Sequence, residues 1–395
     1  MTDIDFFDLN LKDKRVLIRE DLNVPMEDGR VTSDARLLAG LPTIRHALDN
    51  GADVMVMSHL GRPRENISIR DQPKFSLRPV VERLEVLSGL SFELVTDYLD
   101  GFVRGNADVA VLENVRINLG ESVNDKALSK RLAALCDIYV MDAFGCSHRA
   151  HSSTTGVITY APLSCPGPLL RSELDTLKKV LNSPTKPTLA IVGGSKVSTK
   201  LAVLESLITR VDQLIVGGGI ANTFLAAIGI DIGSSLFEKD LLDFAANVYK
   251  KIDVPLPTDV VVTSEMKSDA QIRVCDVGNI RSDEMIVDFG PESISRLKQS
   301  ISFAGTILWN GPIGVFEIAA FEEGTKQISQ AVASSRAFSV AGGGDTLAAI
   351  EMYGVKSDIS YSSTGGGAFL EYLEGKTLPS VKALAKRLGV QEALQ

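Results

Sequence analysis

Thr188–Leu201 reads TLAIVGGSKVSTKL, a run whose parts change character twice. Leu189–Val192 is continuous and apolar, which predicts a buried strand. Gly193 and Gly194 break it, and Val197, Leu201 and Leu204 then recur at helical spacing. Glycines at the carboxyl end of a strand let backbone N–H groups approach an anion, and a following helix adds the positive end of its dipole. Lys196 and Lys200 stand four apart, so a helix starting at the glycines carries both on one face, toward whatever the glycines hold. Taken alone, the stretch reads equally well as a tight strand–helix turn with two solvated lysines. The Walker A spacing G-x-x-x-x-G-K-[ST] is absent.

The same design recurs three more times in the second half. Gln213–Val216 runs into Gly217-Gly218-Gly219 and the helical Ile220–Ala227. Phe338–Ala341 runs into Gly342-Gly343-Gly344-Asp345-Thr346, and Ile359–Ser362 into Thr364-Gly365-Gly366-Gly367. A further strand, Thr306–Trp309, ends in Asn310-Gly311-Pro312-Ile313-Gly314-Val315-Phe316-Glu317, and Val260–Thr263 is another. Glycine clusters at repeated strand–helix junctions point to a polyphosphate site built from backbone amides and helix N-termini. Asp345 has two open readings there: an N-cap, or a Mg²⁺ ligand, since that ion needs only one or two protein carboxylates beside nucleotide oxygens. No G-x-G-x-x-G dinucleotide fingerprint is present.

The first half repeats a different ending. Lys14–Ile18 predicts a strand followed by Arg19-Glu20-Asp21-Leu22-Asn23-Val24-Pro25, and Arg36 opens a helical segment with Leu37, Leu41, Ile44 and Leu48. Ala52–Met57 is followed by Ser58-His59-Leu60-Gly61-Arg62-Pro63, Ala107–Leu112 by Glu113-Asn114-Val115-Arg116, and Asp137–Met141 by Asp142–His151 with Arg149 inside it. In an open α/β sheet, ligands bind beyond the carboxyl ends of the strands. His59, Arg62, Arg116 and Arg149 can therefore meet in one basin, with Arg36 approaching from a helix. Guanidinium forks match carboxylate and phosphate oxygens bidentately, so the basin suits a small ligand with more than one anionic group. Pro162–Leu174 is rich in Pro and Gly and marks a domain boundary.

The chain has 395 residues, room for two or three domains, with 45% hydrophobic and 23% charged residues. A net charge of −9 argues against nucleic acid and against an anionic membrane surface. The four cysteines show no metal or C-x-x-C spacing, which predicts reduced thiols in the cytoplasm. MTDIDFFDLN at the start lacks a signal core, and no apolar run approaches the roughly 20 residues that span a bilayer.

REDLNVP, SHLGRP, LENVR, DAFGCSHRAHSS, VGGSKVSTKL, VGGGIANTFL, LWNGPIGVFE and AGGGDT occur in this order across nearly the whole chain. In these motifs the chain resembles the phosphoglycerate kinases. The resemblance implies an α/β protein of two similar-sized domains, each a mostly parallel sheet flanked by helices, with a cleft between them. It implies a phosphoglycerate-binding domain over residues 1–168, completed by the tail 380–395, and a Mg-nucleotide-binding domain over 169–379. Carried over by position, Asp21, Asn23, Arg36, His59, Arg62, Arg116 and Arg149 fall to the phosphoglycerate. Gly193, Gly194, Lys200, Gly217, Gly218, Asn310, Pro312, Glu317, Gly343, Gly344, Asp345 and Thr346 fall to ATP or ADP, with Asp345 on Mg²⁺. Arg36, Lys196 and Lys200 are the implied catalytic residues. Glu20 departs from the pattern, standing where the family usually has an apolar residue.

The implied reaction is reversible transfer between 1,3-bisphosphoglycerate and ADP, giving 3-phosphoglycerate and ATP in glycolysis, by a cytoplasmic monomer. Both possible attacking groups are already anionic, so no general base is needed, and catalysis reduces to positioning and charge stabilisation. A kinase for another small carboxylic acid, or a non-catalytic nucleotide-binding protein of the same fold, are the alternatives.

Overall fold

The computed structural model describes residues 4–389; the first three residues of the acidic N-terminal stretch and positions 390–395 of the expected tail lie outside the described residues. The chain divides into two compact units, one of residues up to Asp175 together with those from Thr377, the other Thr176–Lys376. The expected boundary at 168/169 falls on the first residue of a helix, Pro168–Asn182, and the units divide inside that helix.

The first unit contains β1 (Arg15–Arg19), a small hairpin of β2 (Met26–Glu27) and β3 (Arg30–Val31), then β4 (Asp53–Met57), β5 (Phe92–Val95), β6 (Val109–Leu112), β7 (Ile138–Met141) and β8 (Leu163–Pro166). Its principal helices are α1 (Ala35–Asp49), α2 (Arg78–Ser88), α3 (Lys126–Ala134) and the short α4 (Val157–Tyr160). Six strands form one parallel sheet in the order β5-β6-β4-β1-β7-β8. Both faces of such a sheet are covered, which is why its central strands read as continuous apolar runs rather than alternating ones. On one face Val16, Ile18, Val54, Val56, Val109 and Val111 pack against Leu37, Leu41 and Ile44 of α1 and Val80 and Leu84 of α2.

β8 lies in the segment expected to be boundary loop. It pairs along Ile138–Met141 as the last strand of the sheet, with Pro166 at its end. An edge strand leaves one row of N–H groups without ladder partners, so proline is tolerated there. After α5 (Pro168–Asn182) and the second unit, the chain returns as the helix Pro379–Arg387, where Val381, Leu384 and Ala385 are buried, Ser380 N donates to the Ser147 carbonyl at 3.1 Å, and Arg387 donates to the Ala161 carbonyl at 3.0 Å.

The second unit contains β9 (Thr188–Gly193), α6 (Leu201–Leu207), β10 (Gln213–Gly217), α7 (Gly218–Ala227), α8 (Leu242–Lys251), β11 (Asp259–Thr263), β12 (Arg273–Asp276), β13 (Met285–Phe289), α9 (Pro291–Phe303), β14 (Thr306–Asn310), α10 (Glu323–Ser334), β15 (Phe338–Ala341), α11 (Gly344–Met352), β16 (Tyr361–Ser362) and α12 (Gly367–Leu373). Five strands form a parallel sheet in the order β10-β9-β14-β15-β16, and a separate antiparallel sheet runs β12-β11-β13. β16 starts later than expected, at Tyr361, because at the preceding position the Ser360 and Ser339 hydroxyls accept each other's backbone N–H at 3.1 and 3.0 Å in place of ladder bonds.

Each parallel sheet has a point where successive strands are added on opposite sides. In the first unit β4 and β7 flank β1; in the second β10 and β14 flank β9. Crevices for ligands open at the carboxyl ends of strands at such points. Those ends are Arg19–Asn23 in one unit and Gly193–Lys200 with Asn310–Pro312 in the other.

Candidate functional site

At the carboxyl end of the first sheet, Arg62, Arg116 and Arg149 line one cavity of about 620 Å³, together with Pro63, Glu65, Ser122, His148 and His151. The loops are braced by the residues expected to bind. Asn23 Oδ1 accepts from Gly61 N at 2.8 Å, and Arg116 Nη1 donates to the Gly61 carbonyl at 2.6 Å. Arg36, in the first turn of α1, donates to the Asn23 carbonyl at 2.7 Å and lies 3.1 Å from the Asp21 carboxylate.

The electrostatics are those of an anion site. Burial lowers the pKa of Arg149; Asp21 opposes this, while Arg62, Arg19 and Arg36 crowd it with like charge. His59 is pushed well below the usual imidazole range by burial and then by Arg19, Arg149 and Arg36. His151 is lowered to about 4 by burial and then by Arg149 and Arg19. Both rings are therefore neutral at pH 7, and a bound anion relieves the mutual repulsion of the arginines. Donor atoms of Asp21, His59 and Cys146 lie within 4.8 Å of one another. Arg36 already pairs with Asp21 and Arg19 faces His59, so this trio belongs to the cationic basin.

In the second unit the strand ends are tied together. Asn310 Nδ2 donates to the Gly342 carbonyl at 2.6 Å, its Oδ1 accepts from Lys200 Nζ, and the Thr346 hydroxyl accepts from Gly311 N at 2.7 Å. A Cβ on Gly193 would sit 1.8 Å from the Pro312 carbonyl oxygen, so this glycine serves close backbone packing between β9 and the loop after β14. Gly343 (φ +101) turns the chain into α11, and Gly344 beside it faces open space.

The shared helical face expected for Lys196 and Lys200 does not form. Gly194 (φ +152) breaks the strand, and Glu238 holds Ser198 through its N–H at 2.7 Å and its hydroxyl at 2.6 Å. These contacts keep 195–200 in a loop and turn, and α6 starts only at Leu201. Lys200 is the cap, with its N–H donating to the Val197 carbonyl at 2.9 Å; Lys196 is exposed on the preceding loop. Burial lowers the pKa of Lys200, and the Asp345 carboxylate opposes that.

A cavity of about 330 Å³ joins these parts. Gly194, Gly218, Pro312, Glu317 and Asp345 line it, as do Ser195, Gly219 and Asn222. Its remaining wall is mostly apolar, from Leu236, Met266, Val315 and the β13 residues Met285, Ile286, Val287 and Phe289, with the buried Asp288 among them. Backbone amides beside an apolar wall suit a ligand that has phosphates at one end and a flat ring at the other. Gly193, Gly217, Lys200, Asn310, Gly343, Gly344 and Thr346 lie outside its lining; Asn310 and Thr346 hold the strand ends that do line it.

The family model for phosphoglycerate kinase matches residues 6–376. The chain belongs to the phosphoglycerate kinase family. It is similar to the solved structure of phosphoglycerate kinase from Coxiella burnetii, with 50% identity, a TM-score of 0.91, and 98% of this chain and 99% of that one covered. It is also similar to phosphoglycerate kinase from Pyrococcus horikoshii OT3, with 30% identity, a TM-score of 0.81, and 98% and 100% covered. The chain is thus a kinase of the phosphotransferase class, and its two cavities are to be read against that chemistry.

The residues at the second cavity fit a Mg²⁺ carried by a nucleotide. Asp345 presents an exposed carboxylate in the first turn of α11, on the cavity lining, and one hard oxygen donor is enough when phosphates and waters supply the rest. Sequence reasoning missed several neighbours. Arg19 is 2% exposed and reaches His59, although its place at the end of β1 already put it beside Asp21. His148 and His151 stand in the quoted DAFGCSHRAHSS run but received no role. The β13 wall was missed altogether, although Met285–Val287 is a short apolar stretch. Asp288 in that wall is raised to about 7 by burial, against the pull of the Gly324 and Phe289 N–H groups.

Proposed function

We propose that the chain catalyses reversible phosphoryl transfer between 1,3-bisphosphoglycerate and ADP, with the phosphoglycerate in the first unit's arginine basin and the Mg-nucleotide in the second unit's cavity. The observation that carries this reading is the convergence of Arg62, Arg116 and Arg149 on one cavity, with Arg36 and two neutral histidines beside it. Three guanidinium forks match a ligand with a phosphate and a carboxylate.

The substrate carboxylate, or the ADP phosphate in reverse, attacks as an anion, so no residue has to remove a proton. Arg62, Arg116 and Arg149 orient the phosphoglycerate. Arg36 is held at 3.1 Å from Asp21, which fixes its guanidinium for the transferring group. Lys200 supplies positive charge beside the glycine backbone, and preorganised charge of this kind is the largest single contribution in such chemistry. Asp345 would hold Mg²⁺, which neutralises phosphate charge when bound. Lys196, exposed on the loop beside Ser195 of the cavity lining, is the remaining cation for the transferring group. Transfer requires reacting atoms within roughly 3–3.5 Å and exclusion of water, so two ligands on separate units demand closure on binding. A cytoplasmic monomer acting on small molecules alone completes the reading. The four cysteines are free, the net charge is −9, and no helix among the described residues is long and apolar enough to cross a membrane.

A coupled assay with 3-phosphoglycerate, ATP and Mg²⁺ tests it. Turnover that needs all three, with other small carboxylic acids inactive, is expected; equal turnover with acetate or glycerate lacking the phosphate would assign a different acid.

A further inference from the structure

The carboxyl end of β1 carries a buried arginine that the mechanism above does not use. Arg19 is 2% exposed, and its guanidinium is surrounded on every side. Nε donates to Ser153 Oγ at 3.3 Å, and Nη1 donates to the Glu20 carbonyl and reaches Ser58 Oγ at 3.5 Å. Nη2 lies 3.2 Å from His59 Nδ1 and 3.9 Å from Cys146 Sγ. Ser153 is itself fixed: its N–H donates to the Glu121 carboxylate at 2.9 Å, its hydroxyl donates at 2.5 Å, and its carbonyl accepts from Tyr139 Oη at 2.8 Å. The guanidinium thus has one orientation, set by a chain of buried contacts running back to Glu121.

An arginine side chain has five N–H donors, no acceptor, and stays protonated in proteins. A ring nitrogen facing it at hydrogen-bond distance must therefore be the acceptor. That rule removes the ambiguity that a histidine tautomer otherwise carries. Among the described residues His59 Nε2 makes no hydrogen bond. The other groups around the ring are Arg36, Arg149 and His151, all of which oppose a positive charge on it, the Asp21 carboxylate, and the Cys146 thiol, whose Sγ lies 3.7 Å from the same Nδ1 and whose S–H can donate to it alongside Arg19.

We propose that Arg19 is a positioning residue, whose guanidinium locks His59 as the neutral Nε2–H tautomer so that the ring meets the anionic substrate as an N–H donor. This rests on the reading of the basin as the phosphoglycerate site. The lock gives His59 one proton at one atom throughout the physiological range. Binding then gains a directional donor without adding a further charge to a basin already crowded with arginines. A purely structural Arg19 would fill its pocket and satisfy its donors equally well, but it would leave the ring's tautomer free to vary with the solvent.

Long-range ¹H–¹⁵N spectra of the ¹⁵N-histidine protein test this directly. The chain has only four histidines, so His46→Gln, His148→Gln and His151→Gln assign His59 by elimination. In the wild-type protein His59 is expected to show an unprotonated Nδ1 and a protonated Nε2, unchanged from about pH 8 to 5.5, a range that spans the usual imidazole pKa. An Nδ1–H tautomer, a mixture, or an imidazolium within that range overturns the lock, and this result needs no variant that has to fold. Arg19→Met should release the ring to a mixed tautomer that protonates within the range and raise the KM for phosphoglycerate about tenfold or more, the loss of one hydrogen bond to a charged group, with the KM for ATP unchanged. Arg19→Lys, which restores a donor, should recover the tautomer; failure to recover it would mean that burial, not the donor, sets the ring. Saturating 3-phosphoglycerate should shift the Nε2–H resonance. A wild-type tautomer as proposed with no shift would leave the lock standing and overturn the reading of the basin.

Discussion

Replacing Lys200 with Ala separates chemistry from folding at the glycine-lined site. The ammonium group is partly buried, donates to Asn310 Oδ1 and stands near the Asp345 carboxylate, which offsets the lowering of its pKa by burial. Its removal deletes one preorganised positive donor from the proposed phosphate site. Losses of this kind cost about 2.7–4 kcal/mol of transition-state stabilisation, or roughly 10²–10³ in kcat. Stability responds to two opposed effects. A partly desolvated charge disappears, which favours the folded state, while Asn310 Oδ1 loses its donor, a cost of about 1–3 kcal/mol for a buried acceptor. Asn310 keeps its bond to the Gly342 carbonyl at 2.6 Å, so the strand ends stay joined. The net change in unfolding free energy is expected to stay within about 1 kcal/mol. Steady-state kinetics at saturating substrates and urea unfolding of the same preparation measure both. A kcat within threefold of wild type would refute the role of Lys200, and a fall in kcat tracking a large loss of stability would assign the residue to folding instead.

Arg62→Ala should raise the KM for phosphoglycerate at least tenfold and leave that for ATP unchanged, because Arg62 lines only the first unit's cavity; equal weakening of both ligands in initial-rate kinetics would contradict this. Glu20 and Asp142 form a buried carboxyl pair: Glu20 is held well above the carboxylate range by burial and then by Asp142, and burial raises Asp142 to about 6. The folded state therefore keeps protons that the unfolded state releases, so the pair's contribution is present below about pH 4 and is lost as pH rises through about 6 and beyond. Glu20→Gln should accordingly gain in Tm over wild type as pH goes from 5 to 8, read by calorimetry, and a difference that shrinks with pH would reverse the sign argued here. Small-angle scattering should show a smaller radius of gyration with phosphoglycerate and a non-transferring Mg-nucleotide together than with either alone; an unliganded radius already equal to the doubly liganded one would remove closure from the account.

The strands were legible where both faces are buried. Val16–Ile18, Val54–Met57 and Leu189–Val192 are continuous apolar runs because a parallel sheet covers them twice. The candidate site was legible where polar residues sit just past such a run, as with His59 and Arg62 after β4 and Arg116 after β6. What escaped depends on partners distant in sequence. The spacing of Lys196 and Lys200 fits a helix, yet Glu238, 40 residues on from Ser198, holds the chain in a turn until Leu201. Pro162 and Pro166 read as boundary loop, yet β8 finds its ladder on Ile138–Met141 and needs no neighbour beyond. β13 completes the apolar wall only because it pairs with β11, where the register shifts between Val261 and Val262. Arg19 looked like one more polar residue at a strand end; its burial comes from Ser58 just past β4 and from the helical turns that carry Cys146 and Ser153, all distant in the chain.

Assignment of one ligand to each unit is tested most directly by diffraction from crystals grown with 3-phosphoglycerate, Mg²⁺ and a non-transferring ATP analogue. The account predicts phosphoglycerate density among Arg62, Arg116 and Arg149, and nucleotide density along Gly194, Gly218 and Pro312, with its base against the Met285–Phe289 wall and its metal at Asp345. Phosphoglycerate bound outside the arginine cavity, or a nucleotide that leaves the Met285–Phe289 wall empty, would contradict it.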